Sequence, residues 1–174
     1  MKRSYGLWAI MGFAVTSLLG TLLHFLYDFF ENATIAAPFS SVNESTWEHM
    51  KLLFWPLFLF AAVQSFFMRE RTDFWCVKAR GTLLGIALIP VIFYTYNGVI
   101  GKSPDFINIS IFFVAAALAF IYEYRRFSRG DVRCKRQKLP LALLCLIGAA
   151  FVIFTFKAPH LNVFRDPLTG NYGV

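Results

Sequence analysis

Five stretches of this chain, about residues 5–30, 50–68, 82–100, 107–124 and 139–157, are each close to twenty mostly apolar residues long. A helix needs roughly 20 such residues to cross a hydrocarbon core about 30 Å thick. Inside that core the backbone has no water to bond, so a lone crossing segment must be helical. The five stretches take up most of the 174 residues and leave no room for a separate soluble domain. The expected fold is all-α: residues 1–174 as one integral membrane helical bundle with about five transmembrane helices. Composition agrees, with 57% hydrophobic residues against about 45–50% in soluble domains.

The first stretch begins with Met1-Lys2-Arg3, as a signal peptide would, but its apolar run exceeds the roughly 7–15 residues of a signal core. It is expected to be retained as a helix. The net charge of +7 could suggest nucleic acid in a soluble protein, but here its distribution has another meaning. Lys2 and Arg3 precede the first stretch. Arg69, Arg71, Lys78 and Arg80 lie between the second and third. Arg125, Arg126, Arg129, Arg133, Lys135, Arg136 and Lys138 lie between the fourth and fifth. The alternate connections hold only Lys51, Lys102, Lys157 and Arg165. That asymmetry orients a multi-pass protein of the cell membrane with its N-terminus inside and its C-terminus outside. The bilayer is the expected partner and nucleic acid is not. The basic run at 125–138 reads as a topology determinant before a lipid-headgroup site.

Cys76, Cys134 and Cys145 are odd in number, lack CxxC spacing and all fall in the inner half. No disulfide framework and no thiol metal site is expected from them.

Polar residues concentrate at the outer end. Ser17, Thr21, His24, Asp28 and Glu31 follow a 4-3-4-3 spacing that lines one helical face. Lipid does not solvate such groups, so this face is expected to point into the bundle. After a connection over residues 32–46 comes Asn43-Glu44-Ser45-Thr46-Trp47-Glu48-His49. Ser45-x-x-Glu48 reads as a capping box opening the second helix, and Lys51 is placed to neutralise Glu48 or Glu44. Pro90 is expected to kink the third helix, and Pro56 can bend the second. Tyr94 and Asn97 share a face at the outer end of the third helix, and topology places His160 on the same side.

The stretches His24-x-x-Tyr27-Asp28, Val42-Asn43-Glu44-Ser45-Thr46-Trp47-Glu48-His49-Met50-Lys51 and Asp166-Pro167-x-x-Gly170-x-Tyr172-Gly173 resemble a family of small, uncharacterised prokaryotic multi-span membrane proteins. The resemblance runs nearly the full length and implies a compact bundle. It supplies no activity and no catalytic residues.

Chemistry must therefore carry the functional expectation. His24, Asp28, Glu44, Glu48 and His49 are expected to line one outward-facing polar pocket, with Asn43, Lys51, Tyr94, Asn97 and His160 near it. Imidazole and carboxylate suit a divalent transition metal, and His24, Asp28 and His49 are the expected ligands. An open metal position would activate water toward a lipid or small molecule at the outer leaflet. A second reading is a small transporter or proton-coupled carrier, for which five short helices would call for a homo-oligomer. A third is an accessory protein whose outer charges form a structural polar lock with Lys51 and Arg165. Nucleotide loops, nucleophile elbows and dinucleotide fingerprints are absent from the sequence.

Overall fold

The computed structural model describes residues 2–101 and 104–174, so Lys102 of the charge count lies outside it. Five helices follow in order: α1 (Lys2–Phe29), α2 (Thr46–Phe67), α3 (Phe74–Val99), α4 (Asp105–Arg129) and α5 (Lys138–Phe156). All five are long and apolar enough to cross a membrane. Among the described residues there is no strand, only an isolated bridge between Arg165 and Tyr172. Pro56 and Pro90 both lie within unbroken helices.

Helices α1 to α4 close a ring in which each packs on the next and α4 returns to α1. The core inside that ring is built from Leu53 and Leu57 of α2, Ile89 of α3, and Ala115, Ala116 and Phe120 of α4. Outside it, large apolar residues such as Leu18, Phe66, Val91 and Leu146 stand exposed, as a lipid-facing surface requires.

Helix α1 corrects part of the expected orientation of its polar face: Ser17 and His24 are half-buried, with Ser17 Oγ and His24 Nδ1 withdrawn from solvent, but the rest of the stripe is not. Its buried line is Gly12, Thr16 and Gly20, while Thr21 and Asp28 are exposed. The reason is close packing. A Cβ at Gly12 would lie 2.3 Å from the Phe120 ring, and one at Gly20 would lie 2.4 Å from the Phe112 ring. Small residues let membrane helices approach where no hydrophobic force drives them together. The Thr21 hydroxyl bonds instead to the Ser17 carbonyl of its own helix.

Helix α5 packs on α3 and α2, outside the ring, rather than on α4. The connection from α4 therefore crosses the start of α3, where the Gln137 amide accepts from the Trp75 N–H and donates to the Arg71 carbonyl. There Cys76 and Cys134 form a disulfide, with Cα atoms 6.0 Å apart. This overturns the expectation of no disulfide. Helix α3 begins at Phe74, ahead of its apolar run, and that early start carries Cys76 under the crossing segment. Cys145 remains free. Beside this crossing, Arg71 forks onto Asp73 through Nε and Nη2. Hydrogen bonding to Asp73 lifts the guanidinium above its ordinary value, so it stays charged.

Lys78 also departs from its expected place in an inner connection. It lies on α3, fully buried, and pairs with buried Glu123 of α4.

Candidate functional site

The end of the bundle expected to face outward is assembled around the start of α2. Ser45 caps the helix by accepting from the Glu48 N–H, and the Asn43 side-chain carbonyl accepts from the Ser45 N–H. The capping box is completed on one side only. The Glu48 carboxylate turns away from the helix start, accepting from the Val42 N–H and pairing with Lys51. The Lys51 ammonium donates further to the Ala37 carbonyl and to the Thr155 hydroxyl. Its three N–H groups are thereby matched, and both charges are buried. Glu48 and Lys51 form a lock tying the α1–α2 connection and α5 to α2.

Residues 157–174 fold back over this end. Val174 N–H bonds to the Thr155 carbonyl, the Asn43 amide donates to the Gly173 carbonyl, and the Thr46 hydroxyl donates to the Val163 carbonyl. Gly173 has φ +63°, and a Cβ there would come within 2.7 Å of the Thr155 carbonyl oxygen. Only glycine fits that approach.

With Glu48 committed to the lock, Glu44 is the carboxylate that meets the histidines. His24 Nε2 of α1 lies 3.7 Å from Glu44 Oε1, and His49 Nε2 of α2 lies 3.5 Å from Glu44 Oε2. The two imidazole centroids are 5.8 Å apart. His49 Nδ1 sits 2.9 Å from the Ser45 carbonyl, which can only accept. Nδ1 therefore carries a proton, and in the neutral ring Nε2 presents a lone pair toward Glu44. His24 Nδ1 is buried without a partner among the described residues. The His24 and Glu44 side chains are 31% and 41% exposed.

Two expected members stand elsewhere. Asp28 is exposed on α1, one turn beyond His24. His160 stacks on Tyr172 in the C-terminal segment, its ring centroid 4.6 Å away. The Asn97 amide donates to the Phe93 carbonyl of its own helix. Tyr94 meets the Thr46 hydroxyl at 3.2 Å and helps line a cavity of about 450 Å³ at this end. Of the five residues expected to line a common pocket, Glu44 borders this cavity, together with Thr46, Asn162 and Arg165. Among the described residues, no group of three or more histidine, cysteine, aspartate or glutamate side chains forms a ready-made metal-binding arrangement.

Sequence reasoning missed the buried pair of Lys78 and Glu123. Lys78 Nζ lies 2.6 Å from Glu123 Oε2, with the Phe60 and Phe120 rings 5.5 and 5.4 Å from the ammonium. Both residues sit beside basic runs that read as membrane-surface charge, so no local signal separated them from their neighbours.

Along residues 1–174 the chain matches the model of a family described as "Family of unknown function (DUF6512)", and it belongs to that family. No curated protein and no solved structure matches it.

Proposed function

We propose that this member of the DUF6512 family is a multi-pass protein of the cell membrane that holds a divalent transition cation at its outer end, between His24, Glu44 and His49. The observation that carries the reading is the placement of Glu44, one oxygen toward each imidazole Nε2. The Ser45 carbonyl supports it by holding His49 in the tautomer that ligates through Nε2. Ligand atoms on a tetrahedral zinc, bound at about 2.0–2.1 Å, stand roughly 3.4 Å from one another. The separations of 3.5 and 3.7 Å, each to a different Glu44 oxygen, are close to that edge, and side-chain movement that turns both imidazole nitrogens onto one ion would be needed to complete the site. Three protein ligands leave a position open for water, a small molecule or a lipid group, the arrangement used in catalytic rather than closed structural zinc sites.

A second reading rests on the same distances. They are also those of two histidine–carboxylate ion pairs, and a proton shared over the cluster would serve the outer end of a proton-coupled carrier. Calorimetry on purified, chelator-treated protein distinguishes the two. Zinc uptake near one equivalent, lost in His49→Ala and Glu44→Gln but kept in Asp28→Asn, supports the metal. Proton uptake tied to the same residues, with no zinc uptake, supports the carrier reading and defeats the metal.

A further inference from the structure

Beside the triad, Glu44 also borders the 450 Å³ cavity roofed by the C-terminal segment. Arg165 borders the same cavity and has no carboxylate within ion-pair distance among the described residues. Its neighbour Asp166 does not neutralise it. Asp166 is buried, and its two oxygens accept from the Leu168 N–H and the Thr169 hydroxyl. The turn those bonds close presents Gly170, and the Arg165 guanidinium lies over it, with Nη2 3.4 Å from where a Cβ would stand. The φ of +78° at Gly170 is the left-handed conformation that favours glycine, and it keeps the turn beneath the guanidinium. The hydroxyl groups on the wall are already committed. Thr46 donates to the Val163 carbonyl, so the Tyr94 hydroxyl is the donor in their contact, and Thr169 donates to Asp166. Arg165 is left as the cavity's uncommitted cation.

A guanidinium with unspent donors matches the paired oxygens of a phosphate better than any neutral ligand. The Glu44 carboxylate in the same cavity would repel such an anion unless a cation sits on it, which links this subsite to the triad. The rim adds a second hint, since Leu168 is exposed beside the cavity at the end of a bundle that stands in lipid.

We propose that this cavity is an oxyanion subsite in which Arg165 binds a phosphate group, either free or in a lipid headgroup, next to the cation of the His24–Glu44–His49 cluster. The proposal rests on the metal reading for its full affinity, but Arg165 can be tested separately. Full-length protein in a phosphate-free maltoside detergent would be titrated with inorganic phosphate and with a short-chain phosphatidylglycerol, each with and without one equivalent of preloaded zinc. We expect zinc to tighten binding of at least one probe tenfold or more. Arg165→Gln should weaken that probe at least tenfold while zinc uptake is unchanged. Arg165→Lys, which keeps the charge but not the fork, should fall between. The probe that responds identifies the source of the phosphate. Should Arg165→Gln bind both probes as the parent does, or the zinc-loaded parent bind neither, the subsite is overturned. Phosphate binding that depends on Arg165 in a protein taking up no zinc would uphold the subsite and overturn the metal reading alone.

Discussion

Lys78 Nζ and Glu123 Oε2 meet 2.6 Å apart between α3 and α4, both withdrawn from solvent, with aromatic rings from α2 and α4 facing the ammonium. Removing one partner strands the other charge in an apolar interior, which typically costs about 3–5 kcal/mol. Lys78→Met and Glu123→Gln should each lower the thermal unfolding temperature in detergent. The double variant Lys78→Met/Glu123→Met should recover most of the loss. Single variants melting with the parent would show that the pair is not needed to hold α3 against α4.

Gly12 and Gly20 set how closely α1 approaches the ring. Gly12→Ala forces the Phe120 ring to move, and overpacking of this kind costs about 1–3 kcal/mol. Gly98 has nothing within 4 Å of its Cβ position, so Gly98→Ala serves as the control. The expected outcome is a lower melting temperature for Gly12→Ala and Gly20→Ala only.

Lys51 joins three separate pieces of chain at the start of α2: Glu48, the Ala37 carbonyl and Thr155. Lys51→Met leaves the buried Glu48 carboxylate without its cation and releases the α1–α2 connection. Limited proteolysis should then cut within residues 30–45 at least several-fold faster than in the parent. Unchanged protection there would argue against the lock.

The Cys76–Cys134 disulfide joins positions 58 residues apart. In the chain-entropy account, closing a loop of that length contributes roughly 4 kcal/mol. The protein unfolded in denaturant should titrate as one free thiol, Cys145, and as three after reduction. Cys76→Ser/Cys134→Ser should melt at a lower temperature. If the charge asymmetry places the N-terminus inside, a bilayer-impermeant maleimide should reach the reduced pair from the inner side only. Labelling from the outer side would reverse the topology.

Much of the architecture was legible in the residue string. Each crossing segment is recognised by its own transfer energy, a local property, so the five helices could be counted before any contact was known. The His24–Glu44–His49 cluster was legible in part. Polar residues at 24 and in 43–49 marked one end of the bundle, yet Glu48 and Asp28 were expected beside the histidines, and the structure sends one into the lock and leaves the other exposed.

The tertiary structure decided which faces meet, because rotation about a helix axis is set by pairwise packing between elements far apart in sequence. Gly12 against Phe120 turns α1 so that Thr16, rather than Asp28, points inward. Likewise α5 lies across α2 and α3 instead of α4, and that crossing brings Cys134 to Cys76. Lys78 and Glu123, 45 residues apart, look like surface charges in sequence and become one buried pair only when α3 and α4 pack side by side. Hydropathy reports how far a segment lies from water. It carries no information on which faces of two such segments touch, and in this protein that contact brings Lys78 of α3 to Glu123 of α4.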